Sequence, residues 1–580
     1  TVRYTPVGWL TLDANLGYDR SDRLLHDYIP KVVKLAQDDD QGADGYYRLY
    51  TGITDSFTGT FTATLMKAFG PLTARTYYRA VLEREDNRTQ EQIGENLAVR
   101  HVKDMSVAID RRMNSGIIDS RATGHMVATA LDYDDKYIAD LLIRRDGSSR
   151  FGPESRWSTY YRAAANWRVS KEPWFRVPHV SEFQLRFSRG TAGGRPNYAW
   201  QYETFTVSDA GLISKGTLGN RFLRPEHTTE NDFTIRTVFD NRYSIDLSYI
   251  TSKTEDQILP VALPGPYGFN TQRRNAGQIS GRTYEATIEA QLINRRNFSW
   301  WANIVLDRSR HKVDRFDRPC YRENMVFYCE GMTMGEFWTT RLHTRPEQLL
   351  YRHDAETLKQ FQVNDEGLLV WVGEGNNYTE GLSKGLWGTT ATIDGFTYRW
   401  GLPFMETDEI GAARYFKTGD GNPELNFGIG NNIRWGRFAI YGLVAGQIGA
   451  DIYNSTKGRM YDRWRHGDVD QTGKPEELKK PIDYYRALYN NGLFTDYFIE
   501  DGSYAKLTEL SIRYSLRENE LGRLRGLGLR NLTLGLVGRN LITITGYSGF
   551  DPEVGSTFNR RDLNPYPQYR TFSGEIQVGF

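Results

Sequence analysis

Apolar and polar side chains alternate with a period of two through much of the chain, up to its last residue. Phe572, Gly574, Ile576, Val578 and Phe580 fall on one face, and Thr571, Ser573, Glu575, Gln577 and Gly579 on the other. Tyr243, Ile245, Leu247 and Tyr249 alternate with Ser244, Asp246 and Ser248. Tyr284, Ala286, Ile288, Ala290 and Leu292 alternate with Thr283, Glu285, Thr287, Glu289 and Gln291. Leu510, Ile512, Tyr514 and Leu516 alternate with Glu509, Ser511, Arg513 and Ser515. Neighbouring side chains of a strand point to opposite faces, so the period predicts an all-β chain. A soluble sandwich with one solvated face shows the same period, so alternation alone does not choose an architecture.

The connections do choose. Short ones lie near Asp132–Lys136, Asp240–Arg242, Asn294–Asn297 and Trp435–Arg437. Long ones lie near Ser21–Asp44, Asn87–Thr123, Gly190–His227, Ser252–Gly281, His311–Glu424 and Tyr453–Ser503. Outer-membrane barrels alternate short periplasmic turns with long external loops, whereas sandwiches and propellers have no reason to sort loops by parity. The expectation is a transmembrane antiparallel β-barrel of roughly 17 strands, each of the ~9–11 residues that a tilted strand needs. With the last strand running towards the periplasm, the first runs the same way. Such a set is expected to be the C-terminal part of a larger barrel. Thr1-Val2-Arg3-Tyr4 already reads as a strand and no signal peptide opens the chain, so an N-terminal part is expected to be missing.

Composition narrows this further. Hydrophobic residues make up 39% and mean hydropathy is -0.59, yet 13% of residues are aromatic. That aromatic content excludes a disordered chain. No stretch approaches the ~18 apolar residues of a membrane-spanning helix. A transmembrane barrel fits, since only alternate strand residues meet lipid. The 73 basic and 72 acidic residues leave a net charge of +1, which offers no electrostatic reason to expect nucleic acid or anionic lipid as partner. Aromatics near strand ends, Trp167 with Trp174 and Phe175, Trp300 with Trp301, and Phe550, suit interfacial girdles, with ordinary sheet packing as the alternative.

Cys320 and Cys329 are the two cysteines, nine apart in one polar segment without a metal motif. A loop disulfide in an oxidising compartment is expected, against two free thiols. Catalytic signatures are not found. The nine histidines are scattered without an HExxH pair, and there is no P-loop and no nucleophile elbow. Asp38, Asp39, Asp40 and Asp44 offer oxygen ligands of the kind Ca²⁺ takes, but without EF-hand spacing they read as a solvated acidic loop. No enzyme activity, metal or cofactor is expected.

Several runs are recognisable in order. Asp134-Asp135-Lys136-Tyr137 leads to Arg145-Asp146-Gly147-Ser148-Ser149-Arg150-Phe151-Gly152-Pro153, then Arg156-Trp157, Trp167-Arg168-Val169-Ser170 and Glu172-Pro173-Trp174-Phe175. Leu223-Arg224-Pro225-Glu226, Asn275-Ala276-Gly277, Thr283-Tyr284-Glu285 and Asp501-Gly502-Ser503-Tyr504 follow. Gly538-Arg539-Asn540-Leu541, Tyr547-Ser548-Gly549-Phe550-Asp551-Pro552-Glu553-Val554 and the terminal Phe580 complete the set. These runs resemble the barrel of SusC/RagA-type TonB-dependent transporters, strongly over about 123–300 and 424–580 and thinly elsewhere. Physically, Asp146-Gly147 reads as a turn in which Gly supplies positive φ, and Asp551-Pro552 as the start of a loop that Pro stiffens.

The resemblance implies that residues 1–580 are the C-terminal part of such a barrel, about 17 of its roughly 22 strands, without the plug and the first strands. It implies the outer membrane of a Gram-negative, Bacteroidetes-like bacterium. It further implies active import of an oligosaccharide or oligopeptide, with a SusD-like surface lipoprotein as lid and the TonB-ExbB-ExbD system as energy source. By position in the expected external loops, the candidate substrate contacts are Tyr198, Trp200, Tyr202, Tyr267, Phe269, Tyr461 and Trp464, each with loop packing or contact with the lid as the alternative reading. The competing readings are a passive porin or structural barrel, and a secreted soluble β-protein.

Overall fold

A computed structural model of the chain describes residues 1–31, 44–208, 211–489, 493–556 and 558–580. Among these, the largest sheet has 18 strands, one of them the two-residue Thr217–Leu218, which lies parallel to Thr271–Gln272. The other 17 pair in sequence order as a meander. They are β1 Val2–Val7, β2 Leu10–Ile29, β3 Tyr46–Phe69, β4 Leu72–Leu97, β5 Ala108–Tyr133 and β6 Tyr137–Ser148. Then come β7 Trp157–Trp167, β8 Val180–Gly194, β9 Glu226–Phe239, β10 Tyr243–Ala262, β11 Thr271–Arg295 and β12 Phe298–Phe316. The last five are β13 Leu425–Trp435, β14 Phe438–Ile448, β15 Tyr504–Arg517, β16 Asn531–Thr545 and β17 Thr571–Gly579.

The chain divides into two compact units. The first holds 1–176, 184–233 and 251–279, the second 177–183, 234–250 and 280–580. In the first, β3 and β4 stay in register from Tyr46↔Glu95 to Phe69↔Leu72, and β4 and β5 from Leu72↔Tyr133 to Leu97↔Ala108. Opposed residues of an antiparallel pair share a face. One face therefore carries Phe61, Leu65, Tyr78, Val127 and Ile143, all exposed. The other carries polar pairs, such as Arg79 Nε donating to Thr62 Oγ1 at 3.0 Å and Arg48 against Glu91 at 2.6 Å. The second unit repeats the division. Ile440, Ile512, Leu534, Leu536 and Ile576 form one face, while Arg513–Glu575 at 3.0 Å and Asn426–Asp307 at 2.8 Å lie on the other.

The long connections of the second unit fold into structure of their own. Short strands Tyr321–Glu323, Val326–Tyr328, Glu336–Thr339 and Phe416–Asp420 form a four-stranded sheet. Two short helices follow, α1 Ser455–Asp462 and α2 Ile482–Leu488. Asn454 caps α1, its Oδ1 accepting from the Lys457 N–H at 2.9 Å, which satisfies one donor left free by the first helical turn. These pieces enclose a buried cluster that includes Phe337, Leu342, Tyr461, Tyr484, Tyr485 and Phe498. A second cluster contains Leu349, Phe361, Leu369, Trp371 and Trp400. Burying a large apolar side chain stabilises by ~1.5–3 kcal/mol relative to leaving it exposed, so these loops hold their own shape.

The strand count and the four short turns agree with the sequence expectation. Strand length and three of the long loops do not. β3, β4 and β5 run 24, 26 and 26 residues. The expected loop at Asn87–Thr123 is mostly ladder, with strand reaching Leu97 and resuming at Ala108. The expected loop at Ser252–Gly281 is likewise shortened by β10 reaching Ala262 and β11 beginning at Thr271. That at Ser21–Asp44 begins as strand to Ile29. The cause lies in Glu83-Arg84-Glu85-Asp86-Asn87-Arg88, polar on both faces. Where water wets both sides of a strand, alternation vanishes although the backbone ladder continues. The segment Asp38–Asp40 lies outside the described residues.

Candidate ligand-binding loops

In the first unit the recognisable runs meet one another. Gly147 is not a turn residue: it pairs with Trp157 inside the sheet, and a Cβ there would stand 3.0 Å from the indole. After β6 the chain turns back through Ser149-Arg150-Phe151. Gln201 Nε2 donates to the Ser149 carbonyl at 3.1 Å, and Phe151 and Leu223 are buried. Gly152 passes so close to the Arg221 carbonyl that a Cβ would sit 1.7 Å from it, which only glycine allows. Arg224 and Asn275 then lock two further runs together. The Asn275 side chain accepts from the Arg224 N–H at 3.0 Å and donates to the Arg224 carbonyl at 2.9 Å, while Arg224 pairs with Asp256 at 2.6 Å.

On that frame sit five of the seven candidate contacts. A short 3₁₀ turn, Tyr198–Gln201, is capped by Asn197, whose Oδ1 accepts from the Ala199 N–H at 3.0 Å. The turn brings the Tyr198 and Tyr202 rings to 5.4 Å, and the Tyr202 hydroxyl beside Tyr198 raises the Tyr198 phenol above its ordinary pKa. Trp200 lies under the Arg273 guanidinium at 4.7 Å. Phe269 contacts Phe205 edge-on at 6.1 Å and carries the Lys215 ammonium 4.9 Å over its ring. Tyr267 is exposed on a neighbouring turn. Sequence reasoning named these aromatics but missed the cations Arg273 and Lys215, which lie 73 and 54 residues along the chain from the rings they cover. Contacts that distant leave no local trace in a sequence.

The remaining two candidates lie in the second unit and part company. Tyr461 is fully buried, with its hydroxyl donating to Asp468 and its ring packed on Tyr485 and Phe498. Burial, then the bond to Asp468, drives its pKa far up. It is a core residue of the loop cluster, with no surface left for a ligand. Trp464 is exposed, with the Arg486 guanidinium 5.8 Å over its ring.

Cys320 and Cys329 form the expected disulfide, with Cα atoms 4.7 Å apart. It closes the hairpin in which the Tyr321 and Tyr328 rings stack at 5.0 Å. Among the described residues, no three His, Cys, Asp or Glu side chains converge as a metal site. The sequence also gave no sign of the buried charges that fix the loops. Lys506, 3% exposed, reaches Asp551 at 3.1 Å and Glu553 at 3.0 Å, joining β15 to the Gly549–Val554 run. Lys480 likewise bonds Asp365 and Glu366. His343 is buried against Phe404, and burial lowers its pKa to about 4.

The loops thus offer aromatic faces with guanidinium and ammonium groups beside them. Such surfaces stack on sugar rings, pack on peptide side chains and attract carboxylates.

Comparison with known proteins agrees with this architecture. The chain is 25% identical over 503 residues to TonB-dependent receptor P3 of Formosa agariphila, covering 81% of this chain and 47% of that protein. It is 22% identical over 464 residues to TonB-dependent receptor SusC of Bacteroides thetaiotaomicron, covering 77% and 42%. The chain spans about half the length of the curated relatives it matches. Its fold matches the structure of the RagAB peptide transporter with a TM-score of 0.73 and 17% identity, over 100% of this chain and 61% of that one. The family model for the TonB dependent receptor-like β-barrel matches residues 2–324, more than half of the 580. With a meander of 17 strands whose faces are sorted into apolar and polar, the chain belongs to the TonB-dependent receptor β-barrel family.

Proposed function

We propose that this chain forms the wall and external loops of an importer that carries an oligosaccharide or oligopeptide across the outer membrane, driven by TonB. The observation that carries the reading is the family match over residues 2–324. The family consists of outer-membrane receptors and transporters rather than enzymes. In the proposed mechanism the apolar face meets lipid and the polar face lines the path of the substrate. Tyr198, Trp200, Tyr202, Tyr267, Phe269 and Trp464 are the proposed contacts, with Arg273, Lys215 and Arg486 beside three of them. Aromatic faces supply contact area and the cations orient acidic groups, so transport needs no covalent step and no cofactor. A SusD-like lipoprotein over the loops is the proposed lid, and TonB-ExbB-ExbD the proposed energy source. Support for a peptide-sized substrate comes from the fold shared with the RagAB peptide transporter.

The reading is tested in cells that carry the complete receptor. Deletion of TonB is expected to abolish uptake of the cognate nutrient, and mild-detergent purification to bring down a SusD-like protein. Uptake that persists without TonB, with ohmic conductance in a planar bilayer, identifies a passive porin instead.

A further inference from the structure

A groove of about 430 Å³ opens on the apolar face of the first unit, lined by Phe57, Leu82, Arg84, Arg121, Arg156 and Trp157 among others. Register fixes the face. Phe57 opposes Arg84, which opposes Arg121. One step along, Gly59, Leu82, Thr123, Gly147 and Trp157 form a continuous row across five strands. Phe61, Val127 and Ile143 follow on the same face, and all three are exposed. In the other direction the next row is Asp55, Asp86 and Asp119. The groove therefore lies at the border where the apolar band stops and charged residues begin, at the end of β6 that leads into the connection 149–156, opposite the short turn between β5 and β6.

Its charge is lopsided. Arg84 and Arg121 share one carboxylate, Asp119, at 3.2 and 3.3 Å. Arg156 adds a third guanidinium to the wall, against which Glu83, held by Arg195 at 2.7 Å, is the one carboxylate of the lining, and Arg145 lies 5.5 Å over the Trp157 ring. The near-zero net charge of the chain conceals this local excess. An arginine on the lipid face costs up to ~2–4 kcal/mol at mid-bilayer and ~0–1 kcal/mol near the interface, so the border is where arginines are tolerated. Guanidinium groups bind phosphate oxygens in pairs. A cationic border above an apolar trough has the complementary shape and charge of a phosphorylated lipid.

We propose that this groove binds a phosphorylated lipid of the outer leaflet. The phosphate meets Arg84 and Arg121, and an acyl chain lies along Phe57, Leu82 and Trp157. The ligand chemistry is a phosphate monoester or diester, and the acyl chain makes it a lipid rather than free phosphate. The site stands apart from the loop aromatics proposed for substrate.

The test is native mass spectrometry of the complete receptor in mild detergent, titrated with dioleoyl phosphatidic acid. Dioleoylglycerol and inorganic phosphate form two control arms. The Arg84→Gln/Arg121→Gln double variant is expected to weaken phosphatidic acid binding by about tenfold or more. Trp157→Ala is expected to weaken it less. Arg88→Gln, whose guanidinium is held by Asp86 at 2.8 Å, is expected to leave it unchanged and reports on folding. Inorganic phosphate that competes as well as the lipid overturns the lipid assignment. Equal binding of phosphatidic acid by the double variant and the parent overturns the site.

Discussion

Within the second unit, the sheet and the loops between its strands place the same kinds of side chain in opposite positions. Leu536 and Ile576 on the sheet are 56% and 74% exposed, while Phe498 and Trp400 in the loops are 0% and 1% exposed. The sheet is built for a medium that accepts hydrocarbon, and its polar pairs lie on the other face. The loops are built for water, so they sequester aromatics and tie down charges such as Lys506 and Lys480. One chain follows two packing rules, one for its sheet and one for its loops.

The largest expected effect comes from hollowing the loop core. Phe498→Ala should cost ~3–5 kcal/mol, because a large ring leaves a cavity that its neighbours fill only in part. Hydrogen exchange should show faster exchange in the loops around α1 and α2, with strands β13 to β17 unchanged. On the sheet the comparison inverts. Leu247→Arg should cost ~2–4 kcal/mol in a bilayer if the site lies near its midplane, and Asp246→Asn far less. Asp246 pairs with Arg236 at 3.3 Å on the polar face, where water can replace the contact. Equal damage from the two variants, measured by unfolding in lipid vesicles, would remove the assignment of faces.

Acid should separate the regions as well. His343 is held neutral by burial, with its pKa lowered to about 4 from 6.5. An unfolded loop takes up the proton first as pH falls. The stabilisation is complete above pH 6.5 and is lost progressively down to about pH 4, with no further loss below. The whole effect is at most ~3.5 kcal/mol, at ~1.4 kcal/mol per pH unit. Loop exchange should accelerate over that window, and His343→Phe should flatten the slope. The smallest effect is reduction of Cys320–Cys329. A short disulfide loop is worth roughly 2–3 kcal/mol, so its hairpin alone should become protease-sensitive.

The difference between the regions also decides what the sequence could reveal. Alternation such as Tyr243 to Tyr249 exposed the sheet because lipid on one side and polar groups on the other write a period of two. The same logic fails at Glu83 to Arg88, where both faces are wet, and there the strands run on unseen. Tyr461 shows a different limit. An aromatic in an external loop looks the same whether it faces a ligand or fills a core, and only Asp468, Tyr485 and Phe498 around it tell which. The disulfide was legible from spacing, whereas Lys506 was not, since its carboxylates lie 45 and 47 residues on.

The most direct test of the two packing rules is a nitroxide scan along Asn531–Thr545 of the complete receptor in lipid vesicles. Labels at Leu534 and Leu536 should collide preferentially with oxygen, which concentrates in hydrocarbon. Labels at Thr533 and Gly535 should collide preferentially with a water-soluble nickel chelate. Accessibilities that show no period of two, or nickel contact at Leu534 and Leu536, would contradict a lipid-facing sheet.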